Sequence, residues 1–414
     1  MITFPAATAW LAVAIGCAAH AAPDEGLLGG AQGYPPAGPS VSLAPHLVAD
    51  DQPQHLVDSF SGGLEKRLAH RIVRKGPHAI PLARAASEAG FAYAHEGRRL
   101  DVQDYLDRQR VTGLMVIKDD AVVLERYQYG RSPATRFLSA SMAKSIVGLL
   151  IGIAVEEGRI RSLDDLAQVY VPALAGNPYG ETSIRDLLQM SSGVRFSEQY
   201  DGRDDLGALI DDTIGRRSPG GAAVLLPYTR RRLAPGKVFY YSSADTQALG
   251  LVLRGATGVP VADYLSERIW QPMGAQNDAS MLVDAAGQEA AYAFLHATLQ
   301  DFGRLGMLLA NDGRIGDRPV IPAAWVRQST TATQAHAQPF VASSYFGYGN
   351  HFWIFPGAQR RFAFIGVRGQ GIFVDPALRL VLVQTAVWKS AGDRAARAEL
   401  LALWRGVVEH YGTW

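Results

Sequence analysis

Ser141-Met-Ala-Lys144-Ser-Ile-Val-Gly-Leu-Leu150-Ile-Gly-Ile-Ala-Val-Glu-Glu157, stopped by Gly158, is the stretch on which the fold turns. It predicts a helix that is apolar on nearly every face, so protein encloses it on all sides. Lys144 stands one turn into that helix. A lysine placed there needs a reason, because its ammonium loses hydration on burial. Ser141 lies three residues earlier, which puts the two side chains on one face, a single turn apart. A serine hydroxyl becomes a good nucleophile only when a base takes its proton. A lysine amine can be that base once burial makes its neutral form accessible. The helix start adds free backbone N–H groups and a positive dipole end, both suited to a developing oxyanion. The S-x-x-K pattern alone is weak, and its bland alternative makes Ser141 a helix cap and Lys144 a surface residue. The apolar run Ile146-Val-Gly-Leu-Leu150 argues for the base.

On the N-terminal side, Gly113–Lys118 and Ala121–Tyr127 read as two strands joined by a tight turn at Asp119-Asp120. On the C-terminal side come helical segments Ser183–Met190 and Asp245–Thr257. Strand patterns follow at Arg361–Ile365, Gly371–Val374 and Leu378–Thr385, and an amphipathic helix at Ala395–His410. Strands first, helices between, and strands plus a helix last predict an α+β, two-lobed fold. One antiparallel sheet is built from both chain ends and flanked by helices, with a mainly helical lobe inserted between them. Leu64–Lys75 reads as a short basic amphipathic helix.

The second chemical element is Pro235-Gly-Lys-Val-Phe-Tyr240-Tyr241-Ser242-Ser243, with Tyr241 standing 100 positions after Ser141. Together with S-x-x-K, this stretch resembles the serine β-lactamase and penicillin-binding-protein superfamily. It is most similar to the class C-like branch containing 6-aminohexanoate-dimer hydrolases and esterases. Leu188-x-x-Ser191-Ser-Gly193, Ile269-Trp-x-Pro-Met-Gly274 and Thr298-x-x-Asp301-Phe-x-Arg304 agree with that branch, and read as packing and capping features. The resemblance covers about Gly113 to Trp404 and implies a β-lactamase/transpeptidase-like fold.

The same resemblance puts Tyr241 beside Ser141 and Lys144 as a proton-transfer group, with its neighbours favouring the ionised phenol. Tyr240 is the alternative if the register is off by one. Ser243 stands where many relatives carry Asn, and is expected to hydrogen-bond substrate or Lys144. Phe364-Ile-Gly366-Val-Arg-Gly369-Gln-Gly371 occupies the place of the usual K-T-G strand and resembles the G-x-x-G-Q version of the branch. Its backbone at Ile365 or Gly366 is expected to complete the oxyanion hole. Without the Lys-Thr pair, the usual partner of a β-lactam carboxylate is missing. Tyr200 lies where the branch carries a substrate-gripping lid tyrosine, with a plain loop residue as the other reading. His296 reads either as pocket lining or as a core or surface histidine.

The function this implies is cleavage of a small-molecule amide or ester through a Ser141 acyl-enzyme, without cofactor or metal. The alternative is a penicillin-binding-like sensor or D-amino-acid peptidase of the cell envelope. Other chemistries lack support: there is no G-x-S-x-G elbow, no H-x-H or H-E-x-x-H metal pattern, and no P-loop. Lys and Arg total 40 against 39 Asp and Glu, a balance that leaves no footprint for nucleic acid.

Residues 1–21 read as an export signal, with a small-x-small pattern at Ala19-His-Ala21. No basic residue precedes the apolar stretch. A periplasmic destination without stable membrane insertion follows. A lipoprotein site at Cys17, the only cysteine, is the other reading. Residues 22–62 are rich in Gly and Pro and read as a flexible leader, 63–99 as an N-terminal extension, and 100–414 as the hydrolase domain.

Overall fold

The computed structural model describes residue 47 and residues 49–414; the expected export signal lies outside them. Alternation in strand Val111–Lys118 sets the layers. Leu114 and Val116 join one core with Leu403, Trp404 and Val407 of the C-terminal helix Arg394–Tyr411. Met115 and Ile117 join the other core, with Phe302, Leu305 and Leu309 of helix Leu299–Ala310. Each such side chain removed from water contributes about 1.5–3 kcal/mol, so the two faces hold the sheet between helical layers.

The sheet has eight strands, in the order Gly347–Tyr348, Trp353–Ile354, Phe362–Gly366, Gln370–Asp375, Leu380–Ala386, Val111–Lys118, Ala121–Tyr127, Ala83–Arg84. The last strand of the chain pairs with Val111–Lys118, so both chain ends do build one sheet. It is not wholly antiparallel: Ala83–Arg84 adds a short parallel strand beside Ala121–Tyr127. The hairpin turn at Asp119 and Asp120 takes left-handed backbone angles at both residues, which two-residue hairpins require.

A second, four-stranded sheet of His70–Val73, Ala279–Leu282, Leu295–Thr298 and Arg136–Leu138 closes off the helical lobe. Its edge strand corrects the basic helix expected over Leu64–Lys75: His70–Val73 is a strand paired with Ala279–Leu282, and Val73 is fully buried. Pairing along that open edge satisfies more backbone groups than an isolated helical turn would.

The flexible leader expected over residues 22–62 is corrected at its C-terminal end. Pro53–Asp58 is a helix, and Leu56, Val57, Phe60 and Leu64 enter the main core. Leu56, Phe60 and Leu64 are spaced by four, an apolar pattern behind a Gly- and Pro-rich stretch, although the backbone leaves helical geometry at Ser61 and Gly62. The flanking motifs do pack and cap. Thr298 accepts from the Asp301 N–H at 3.1 Å, Asp301 holds Arg304 at 3.0 Å, and the buried Trp270 indole donates to the Asn277 carbonyl at 2.8 Å.

Helix Met142–Glu156 is buried along almost its whole length. Its two glycines allow close approach. Trp325 donates its indole N–H to the Gly148 carbonyl at 3.0 Å, and a Cβ on Gly152 would lie 2.0 Å from that indole nitrogen. Gly152→Ala should therefore destabilise the protein by about 1–3 kcal/mol by overpacking, read as a lower thermal midpoint. An unchanged midpoint would mean that Trp325 moves aside without cost.

Candidate active site

Two helix starts converge on one point. Ser141 precedes Met142–Glu156, and Ser242 caps Ser243–Thr257 by accepting the Asp245 N–H at 3.3 Å. Strand Arg136–Leu138 reaches the first helix through Ser139 and Ala140, and Ala140 takes a left-handed φ of 45°. A non-glycine residue pays strain for that angle, and the sharp turn is what presents Ser141 to the cleft. Ser141 makes no side-chain cap bond; its hydroxyl faces Lys144 Nζ at 3.0 Å.

Lys144 is 1% exposed, which rules out the surface reading. Its nitrogen also lies 3.0 Å from Ser243 Oγ and 2.9 Å from the Tyr292 carbonyl. A neutral amine has two N–H groups and one lone pair. The carbonyl can only accept, and Ser243 can accept the second N–H, which leaves the lone pair for the Ser141 hydroxyl. Burial lowers the Lys144 pKa to about 8, while the Glu198 charge pulls it the other way. The positive ends of two helix dipoles further disfavour an ammonium here.

Tyr241 completes the group. Its side chain lines the cleft together with Ser141, its ring centroid lies 5.1 Å from Lys144 Nζ, and Trp353 stacks on it at 5.6 Å. The expectation of an ionised phenol is corrected. Burial, then the Glu198 charge, push its pKa well above the ordinary value, outweighing the opposite influence of Ser141. Tyr241 is a neutral donor. Tyr240 points away from this chemistry, stacked under the guanidinium of Arg232 at 4.6 Å.

The residue that sequence reasoning missed is Glu198. Its carboxylate accepts from the Ser243 N–H at 2.8 Å, the Ser243 hydroxyl at 3.1 Å and the Tyr200 hydroxyl at 2.8 Å. Burial raises its pKa. It lies in an irregular segment held by Asp204, which accepts the Tyr200 N–H at 3.0 Å and caps helix Asp205–Asp212. Tyr200 is thus tied to the site through Glu198, with its backbone at a φ of 62°.

Ile365 and Gly366 line the cleft with Ser141. A Cβ on Gly366 would meet the Ser139 carbonyl at 2.7 Å, so the strand end abuts the turn that presents Ser141. His296 lines neither the cleft nor its apolar annex. It is a fully buried strand residue, and burial lowers its pKa to about 4.

The cleft has two parts sharing Ser141, Glu198, Tyr200 and Val367. The larger includes Tyr241, Trp353, Ser343 and Arg397. The smaller is narrow and apolar. Among the described residues no cluster of His, Cys, Asp and Glu could hold a metal, and no helix is long and apolar enough to cross a membrane.

Residues 99–403 match the family model described as Beta-lactamase. The chain belongs to the β-lactamase family. It is a serine hydrolase of that family. It is 26% identical over 303 residues to the 6-aminohexanoate-dimer hydrolase of Paenarthrobacter ureafaciens, covering 71% of this chain and 77% of that one. The fold is shared with a Bacillus anthracis protein provisionally described as a 6-aminohexanoate-dimer hydrolase: TM-score 0.79, 22% identity, 91% of this chain and 98% of the other. A family VIII carboxylesterase matches with TM-score 0.54 and 17% identity, over 72% of this chain and 93% of the other.

Glu198 and burial act on Lys144 in opposite directions, and this gives a test. Replacing the carboxylate by Glu198→Gln removes the charge that favours the ammonium. The acid limb of the kcat/KM profile, rising with pH toward about 8 in the wild type, should then move to lower pH. An unmoved limb would show that Glu198 exerts no field on the base.

Proposed function

We propose that the chain cleaves small linear amides or carboxylic esters through an acyl-enzyme on Ser141. The observation that carries this is the buried Lys144 amine, 3.0 Å from the Ser141 hydroxyl with its other two directions already engaged. Lys144 takes the Ser141 proton as the oxygen attacks the carbonyl carbon. The oxyanion is held by the Ser141 N–H and by backbone at the end of strand Phe362–Gly366. As the C–N or C–O bond breaks, the neutral Tyr241 hydroxyl gives its proton to the leaving atom, and the Lys144 ammonium restores it. Water then enters, and the same groups act in reverse to release the acid.

Ser243 and Glu198 are positioning residues in this scheme. They fix the amine and hold the Tyr200 hydroxyl over the cleft. Ile365 faces the cleft where a hydroxyl or ammonium would be needed to grip a β-lactam carboxylate, which favours open-chain substrates. The named relatives that act on an amide dimer or on carboxylic esters agree with that preference.

Purified protein should show a burst followed by steady turnover with p-nitrophenyl butanoate. Ser141→Ala should reduce kcat by at least about a thousandfold with an unchanged thermal midpoint. A fluorophosphonate should label Ser141 alone. A stoichiometric burst without turnover would favour the sensor reading, and full activity in Ser141→Ala would move the nucleophile elsewhere.

A further inference from the structure

The apolar pocket beside Ser141 draws part of its wall from outside the family-matched region. Leu47 and Phe60 line it, both upstream of residue 99, where the family match begins. Leu206 and Ile210 of helix Asp205–Asp212, with Tyr292 and Phe294, line the same pocket. Phe60 is 3% exposed and belongs to the main core.

The upstream segment is fastened to the elements that shape the site. The turn Ser59–Gly63 lies against strand Arg136–Leu138, which runs directly into Ser139, Ala140 and Ser141. Glu65 binds Arg136 at 2.8 Å and accepts the Ser280 hydroxyl at 2.5 Å. Arg368, two residues beyond Gly366 and almost wholly buried, donates to the Asp50 carbonyl at 2.5 Å and to the Trp388 carbonyl at 2.9 Å. These charge-assisted bonds, partly buried, fasten the segment that carries the wall.

Tyr241 decides which half of the substrate enters. It lines the larger cleft and not the apolar pocket. A group that protonates the leaving atom must be within hydrogen-bond reach of it. The leaving group therefore belongs in the larger cleft, and the acyl chain in the apolar pocket. Glu198, the one acid lining the pocket, already accepts three hydrogen bonds from Ser243 and Tyr200, and the surface around it is almost wholly apolar, so a charged chain end would lose its hydration there.

We infer that Phe60, with Leu47, closes an acyl pocket selective for short, unbranched, uncharged chains, and that Phe60 sets its length limit. This rests on the acyl-enzyme reading and on the role given to Tyr241.

The test uses the full chain and kcat/KM for p-nitrophenyl acetate, butanoate, hexanoate, octanoate and 6-aminohexanoate. The wild type should prefer acetate and butanoate. Phe60→Ala should raise the octanoate-to-acetate ratio by about tenfold or more, on the scale expected for methylene groups in an apolar pocket. Phe60→Trp should lower the hexanoate-to-acetate ratio. Leu206→Ala, in the lining of the same pocket, should shift the profile in the same direction as Phe60→Ala and serves if that variant does not fold. Thermal melts establish which variants are folded. A wild type that prefers octanoate or 6-aminohexanoate, or folded variants with the wild-type profile, would overturn the inference while leaving Ser141 chemistry standing. No turnover of any ester by the wild type would remove the acyl-enzyme reading itself, and this inference with it.

Discussion

A lysine amine kept from water between two helix starts is the constraint around which this molecule is arranged. Lys144 can serve as a base only if the surroundings withhold hydration from its ammonium, and a wholly buried helix is what does so. That helix must in turn be enclosed: by the sheet layer with helix Leu299–Ala310, by helix Ser243–Thr257, and by Trp325 seated over Gly152. The same enclosure that depresses Lys144 raises Tyr241. Desolvation disfavours whichever form is charged, so one environment yields a neutral amine that can accept a proton and a neutral phenol that can donate one.

Glu198 works against this tendency and so sets its extent. Its charge favours the Lys144 ammonium and further disfavours the Tyr241 phenolate. It also holds Ser243 and Tyr200 in place through three hydrogen bonds. The apolar pocket shows the same economy of parts: core residues of the segment before the matched domain, fixed by Arg136 and Arg368, end as a wall beside the nucleophile.

Much of this was legible in the sequence wherever a period or a short motif carried it. The apolar helix after Ser141, the hairpin at Asp119-Asp120 and the closing strands and helix all follow from patterns that survive without tertiary context. The meeting of Ser141, Lys144, Tyr241 and Ser243 was readable from spaced motifs and a resemblance. Glu198 was not, because it sits in an irregular loop with no repeat to mark it. The ionisation of Tyr241 was misread because neighbouring groups can be counted in a sequence and desolvation cannot. The strand His70–Val73 looked helical because its partner, Ala279–Leu282, lies some two hundred residues away. The core stripe at Leu56, Phe60 and Leu64 was present in the letters but masked by the Gly- and Pro-rich composition before it.

Lys144 releases its proton well below the ordinary lysine value, and lysine side-chain NMR measures this directly. With Lys66, Lys75, Lys118, Lys237 and Lys389 as the other lysines, 13Cε-labelled protein and a Lys144→Arg control identify the signal of interest. The account predicts that it titrates near pH 8. A midpoint at the ordinary lysine value of about 10.4 would contradict it.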